Sequence, residues 1–168
     1  VEIFGNIGLG HRRLSIIDLA PRSDQPMISE NSRYAIAYNG EIYNFPILKD
    51  ELLALGFSFK TSSDTEVVLK AYEAWGTSCF QKLNGMFALA IVDTSTGELI
   101  IARDSLGIKP LYLHHSLEHI VFSSEIKAIL KHPKVNRTIN NQSITEYMWY
   151  GNTLGNNTFY KDISEVLP

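Results

Sequence analysis

Seven consecutive apolar residues, Met86-Phe-Ala-Leu-Ala-Ile-Val92, constrain this chain more than any other stretch. A strand with one wet face would alternate apolar and polar residues, and a surface helix would interrupt the run at helical spacing. An unbroken run of this length reads as a central strand covered on both faces. It is the longest apolar run in the chain. It falls far short of the ~20 residues that a membrane-spanning helix needs. The chain therefore requires layers on either side of a sheet. Its 168 residues, 45% hydrophobic, are enough to supply them in one domain. Eight Tyr and eight Phe exclude a disordered chain. Fifteen Lys and Arg against eighteen Asp and Glu leave no basic surplus for nucleic acid or an anionic membrane. A single cysteine, Cys79, excludes an internal disulfide framework and a multi-cysteine zinc site, and a reducing, cytoplasmic compartment is the expectation.

Local signals fill in the layers. Tyr34–Asn39 has strand composition and runs into Asn39-Gly40, a strong turn signal. Asn44 is placed to cap a helix reaching about Leu55, with Pro46 in its first turn, Gly56 at its stop, and Ile47, Leu48, Leu52 and Leu55 on its apolar face. Phe57–Lys60 is a short strand candidate. Ser63-Asp-Thr-Glu66 has the form of a capping box before a helix carrying Val68, Ala71, Tyr72 and Trp75 at helical spacing, with Gly76 as its end. A helical piece near Phe80–Leu83 and a turn at Asn84-Gly85 lead into the apolar strand. Strands follow at Leu99–Ala102, Leu111–His114 and Ile120–Phe122, then helices at Glu125–Leu130 and around Ser143–Tyr150 in a loop-rich remainder. Many connections are too short for parallel crossovers, so the sheets are expected to be mainly antiparallel with helices packed on them, an α+β domain.

Three polar clusters exceed what packing requires. In His11-Arg-Arg-Leu-Ser-Ile-Ile-Asp18, two arginines enter an apolar stretch. They are either solvated on an edge strand or one of them walls a pocket, where guanidinium suits bidentate capture of a carboxylate. Asn39-Gly-Glu-Ile-Tyr-Asn44 reads as a turn before a capped helix, or as an oxyanion hole made by an Asn amide and a Gly N–H. In Ser62-Ser-Asp-Thr-Glu66, acids at a helix start are stabilised by the macrodipole. Ser63 can cap alone, which leaves Asp64 available for an ammonium group. The other polar residues read as structural. Arg103 and Asp104 are expected to form a local pair. His114 and His115 point to opposite strand faces, and His11, His119 and His132 lack ligand spacing. Cys79, among Trp75, Phe80 and Leu83, reads as a buried small hydrophobe.

These clusters carry a resemblance. Gly10-His-Arg-Arg-Leu-Ser-Ile-Ile-Asp18, Tyr38-Asn-Gly-Glu-Ile-Tyr-Asn44 and Ser63-Asp-Thr-Glu-Val67 resemble, in this order, the glutaminase domain of glutamine-hydrolysing asparagine synthetases. Leu83-Asn-Gly-Met-Phe-Ala88, Ala102-Arg-Asp-Ser-Leu-Gly-Ile-Lys-Pro-Leu-Tyr112 and Phe122-Ser-Ser-Glu-Ile-Lys-Ala128 are similar to the same family. The similarity runs over nearly the whole chain and weakens after about Val135.

The resemblance implies an N-terminal nucleophile hydrolase-type α/β/β/α sandwich with two stacked, mainly antiparallel sheets. It implies hydrolysis of the L-glutamine side-chain amide to glutamate and ammonia. Arg13 is expected to clamp the α-carboxylate and Asp64, with Glu41, the α-ammonium. Backbone groups of Leu14 and Ile16 would line the site, and Asn39 and Gly40 would form the oxyanion hole. In the family the nucleophile is a cysteine at the mature N-terminus, with its own amine as base. Val1 has no thiol and Cys79 does not match that position. The chain reads as a partial glutaminase domain over residues 1–168, cut at both ends, inactive by itself, with its first segment and a C-terminal ATP-using synthetase domain absent. ATP and Mg²⁺ are implied only for that domain. No cofactor or metal is expected in this segment. A related amidotransferase with another ammonia acceptor, and a degenerate interaction domain, are the alternatives. Oligomerisation is compatible with all three.

Overall fold

The apolar run lies in the interior of a sheet. The computed structural model describes residues 1–12 and 23–168. Its residues group into two units, Val1–Ala102 and Arg103–Pro168.

In the first unit, strands β1 (Glu2–Phe4) and β2 (Ile7–Leu9) form a hairpin. Strands β3 (Met27–Ile28), β4 (Tyr34–Ile42), β5 (Gly85–Asp93) and β6 (Glu98–Arg103) form a sheet in the order β3-β4-β5-β6. Strands β4 and β5 pair antiparallel over nine positions, from Tyr34↔Asp93 to Ile42↔Gly85. The run of four residues between β5 and β6 permits only a hairpin. Phe87, Leu89 and Ile91 of β5 enter one core cluster, while Ala88, Ala90 and Val92 on the other face are also buried. The doubly covered strand expected from the sequence is present.

Helices α1 (Phe45–Ala54) and α2 (Asp64–Trp75) pack on the face carrying Ile36, Tyr38 and Ile42. Every residue of α2 from Asp64 to Tyr72 is buried. A 3-10 helix over Gly76–Lys82 follows and buries Cys79. On α1, Leu48 and Leu52 are buried, but Ile47 and Leu55 are exposed, so the apolar stripe is narrower than its spacing suggests.

Three local expectations need correction. Asn39-Gly40 is not a turn: both residues lie inside β4, opposite Ala88 and Phe87. Asn84-Gly85 is not a turn either, since Gly85 already pairs with Ile42. Phe57–Lys60 forms no strand. Phe57 and Phe59 pack on the core, and the N–H groups of Lys60 and Thr61 donate to the Glu66 carboxylate (2.9 and 2.7 Å) rather than to a ladder.

The second unit has a three-stranded antiparallel sheet. Strand β7 (Tyr112–His115) lies between β8 (Ile120–Ser123) and β9 (Ile163–Glu165). Helix α3 (Ile126–Ile129) supplies Ile129 to a small core with Val135 and Ile163. Helix α4 (Asn141–Tyr150) follows a cap in which the Asn140 side chain accepts from Ser143 N. The expected local pair of Arg103 and Asp104 is replaced by separate roles. The Arg103 guanidinium donates to the carbonyls of Lys109, Gly107 and Val166 at 2.6–2.7 Å and pairs with Glu165. Asp104 accepts from the amides of Leu106, Ile108 and Lys109. This fixes the turn over residues 104–109, with Gly107 at φ +62°.

Candidate active site

The segment Asn39–Asn44 is held from both sides. At its strand end, Ile42 N donates to Asp64 Oδ2 at 3.1 Å. Past it, Tyr43 N donates to the Asn84 carbonyl at 2.8 Å. Asn44 was expected to cap α1 with its side chain. It makes no cap bond there; instead its amide bridges to the segment just before β5, donating to the Lys82 carbonyl and accepting from Asn84 N, both at 2.9 Å.

Two glycines set the spacing of this region. A Cβ on Gly40 would lie 2.2 Å from the Met86 carbonyl oxygen, and one on Gly85 would lie 2.2 Å from the Glu41 carbonyl oxygen. Neither glycine has positive φ. They are required by close approach of the two strands, not by turn geometry. Asn39 and Gly40 are thereby fixed at one place on a rigid element. Such a pair, a side-chain amide beside a backbone N–H with no Cβ to obstruct it, is suited to stabilising negative charge developing on one oxygen.

Asp64 opens α2 and is 5% exposed. Ser63 caps the helix by accepting from Thr65 N at 3.1 Å. Asp64 nevertheless makes its own protein contacts. Its Oδ2 accepts from Tyr38 OH at 2.8 Å as well as from Ile42 N, and its Oδ1 accepts from Thr65 N at 2.9 Å. Burial, then the Asp64 charge and its hydrogen bond, push the Tyr38 phenol well above its ordinary range, so it remains a donor. Glu41 adds to that field from the same strand. Tyr38 N donates in turn to Gln25 Oε1 at 2.6 Å. The Ser63 half of the capping box is present. Its Glu66 half is replaced, because Glu66 accepts from Lys60 N, Thr61 N and Thr61 Oγ1 and so ties down the loop before the helix.

The structure thus brings Asp64 to the end of the strand that carries Asn39, Gly40 and Glu41. Arg13, Leu14 and Ile16 lie outside the described residues. Sequence reasoning missed Tyr38, Gln25 and Gly85 as supports of this region. Tyr38 was legible in principle, as a polar-tipped aromatic one residue before Asn39. Cys79 is wholly buried, and burial pushes its thiol up to about 12, which rules it out as a nucleophile at neutral pH.

The histidines hold a second departure from the sequence reading. His114 and His115 do point to opposite sides, one buried and one exposed. But the fold sets His114 against His119 at 5.2 Å with the rings tilted by 35°, and stacks His119 on His132 at 4.8 Å between ring centroids. Burial first, then His132 and His114, lower the His119 pKa. Among the described residues no group of three or more His, Cys, Asp or Glu is arranged to hold a metal ion. Among those residues no helix is long and apolar enough to cross a membrane.

The chain is 39% identical over 162 residues to asparagine synthetase [glutamine-hydrolyzing] 3 of Bacillus subtilis (strain 168), covering 95% of the chain and 26% of that protein. It is 37% identical to a putative asparagine synthetase [glutamine-hydrolyzing] 2 of Methanocaldococcus jannaschii, covering 87% and 31%. The chain therefore spans about a quarter to a third of the curated relatives it matches. Among solved structures, the glutamine phosphoribosylpyrophosphate amidotransferase of B. subtilis, complexed with ADP and GMP, matches with TM-score 0.55 and 32% identity over 62% of this chain and 25% of that one. A structure described as the allosteric regulatory enzyme of purine biosynthesis matches with TM-score 0.60 and 27% identity over 88% and 28%. Antiparallel sheets with packed helices are the α+β, N-terminal nucleophile hydrolase-type fold that the sequence led us to expect. Residues 2–168 match the glutamine amidotransferase domain family, and the chain belongs to it.

Proposed function

We propose that this chain is the glutamine-hydrolysing part of an asparagine synthetase-type enzyme. Glutamine would be split to glutamate and ammonia, and an ATP-using part of the full-length protein would deliver the ammonia to aspartate. The observation that carries this reading is the pairing of an amide-and-glycine donor site, Asn39-Gly40, with a buried carboxylate, Asp64, bonded to the same strand two residues beyond Gly40. The names of the curated relatives support aspartate as acceptor.

A free amino acid presents an anion, a cation and a reacting carbonyl. Arg13 would hold the α-carboxylate, and Asp64 with Glu41 the α-ammonium. Backbone groups of Leu14 and Ile16 would line the pocket beside the amide. Asn39 and Gly40 would bind the oxyanion as a thiolate attacks the amide carbon. That thiolate is assigned to an N-terminal cysteine whose amine, with a pKa of about 7.7–8.0, is suited to be its base. Residues 1–168 supply no such thiol, so a polypeptide of these residues alone would release no ammonia. The ATP chemistry would belong wholly to the other part of the enzyme. A cytoplasmic location fits this reading.

The kinetics of Arg13→Ala and Asp64→Ala in the full-length protein test the assignment. Each substitution is expected to raise the KM for glutamine by about tenfold or more, the loss of a charge-assisted contact of roughly 1.5–3 kcal/mol. An unchanged KM in both would remove the amino-acid clamp from this site.

A further inference from the structure

Helix α4 is built inside out. Its buried residues are Ser143 and Glu146, while Ile144, Tyr147, Met148, Trp149 and Tyr150 are exposed, Met148 and Trp149 by 79% and 80%. A surface helix ordinarily buries its apolar stripe and shows water its polar one. Here Glu146 does the anchoring. The Glu146 carboxylate accepts from Gln142 Nε2 at 2.8 Å, from Leu154 N at 3.0 Å and from Asn157 Nδ2 at 3.4 Å. Tyr147 meets Phe159 edge-on at 5.4 Å, which extends the apolar surface off the helix. The result is a fixed patch of Trp, Tyr and Met, the residue types that dominate the centres of protein interfaces.

The same anchor ties α4 to the last strand. Asn157 bridges to Ser164, and Glu165 N donates to the Asn156 carbonyl at 2.9 Å. A polypeptide continuing past Pro168 would begin from a strand that is hydrogen-bonded to the loop following this patch. The curated relatives have about three to four times the length matched here. A tethered neighbour has a high effective concentration, so a patch of modest size suffices to seat it. Helix α4 carries no Lys or Arg to attract an anionic membrane surface.

We propose that the outward face of α4, centred on Met148 and Trp149, is the docking surface for the ammonia-accepting part of the full-length protein. This rests on the reading given under Proposed function. The test uses the full-length protein and two readouts. Hydroxyl-radical footprinting of the wild type should find Met148 and Trp149 protected, while Leu106 and Leu117, also exposed in this structure, label freely. In the Met148→Glu, Trp149→Glu variant, glutamate release from glutamine should persist while asparagine formed per glutamate falls several-fold. Asparagine formation from added ammonium should continue. Free labelling of Met148 and Trp149 in the wild type would overturn the proposal. So would unchanged coupling in the variant, including the case in which the variant merely turns a dimer into a monomer and a second copy is the occupant. If the variant fails to fold, the wild-type footprint decides. If the wild type releases no glutamate at all, the functional reading fails, and the footprint still reports whether α4 is covered.

Discussion

At the scale of single residues, the site is specified as much by atoms that are missing as by those present. Gly40 and Gly85 each face a carbonyl oxygen of the opposite strand at a distance no Cβ tolerates. Asn-Gly in a sequence signals a turn because both residues accept positive φ. Here the same dipeptide marks close strand approach, and only the identity of the partner strand separates the two meanings. That partner is dozens of residues away, so the conformation of Asn39-Gly40 was illegible in the sequence. Gly85→Ala should push β5 away from Glu41 and Ile42. We expect it to destabilise the protein by about 1–3 kcal/mol, as overpacking does, measured by the denaturant midpoint, and to lower glutamine turnover in the full-length protein. A variant with unchanged midpoint and turnover would show that the strands do not depend on this glycine.

At the scale of elements, β5 and the two helices packed on its sheet were legible because their signals are local. The run Met86–Val92, the Ser63 cap and the stops at Gly56 and Gly76 all lie within or beside the elements they define. Strands β1, β2, β3 and β9, of two or three residues each, carry too little pattern to be read. Phe57 and Phe59 gave a true alternation without a ladder, because Glu66 takes the N–H groups a neighbouring strand would need. The 3-10 helix after α2 was expected only in part, yet its burial of Cys79 followed from the aromatic neighbours. With the thiol fully buried and raised to about 12, Cys79 should resist thiol reagents at neutral pH and react only as denaturant unfolds the chain. Rapid labelling of Cys79 in native buffer would contradict this packing.

At the scale of the whole molecule, the least legible feature is the histidine cluster, since His114, His119 and His132 meet only once the second unit has folded. Its consequence has a definite sign. The folded His119 pKa lies below the ordinary 6.5 because burial and the neighbouring His132, His114 and Lys134 disfavour its charge, with Glu118 opposing. The unfolded chain therefore binds a proton first as pH falls. The contribution of His119 to stability is complete above pH 6.5 and is lost as pH drops from there through the lowered folded value. Melting temperature should accordingly fall as pH drops below 6.5, and His119→Gln should flatten that slope. A slope unchanged by His119→Gln would assign the acid sensitivity elsewhere.

The central proposal is that glutamine is hydrolysed where Asn39 and Gly40 would hold an oxyanion. The most direct test is glutamate release from glutamine by the full-length protein and its Asn39→Ala variant. The account predicts that the wild type turns over and that the variant loses about 10²–10³ in kcat, the value of one oxyanion donor, while remaining folded. Equal turnover in the two proteins, or none in the wild type, would contradict it.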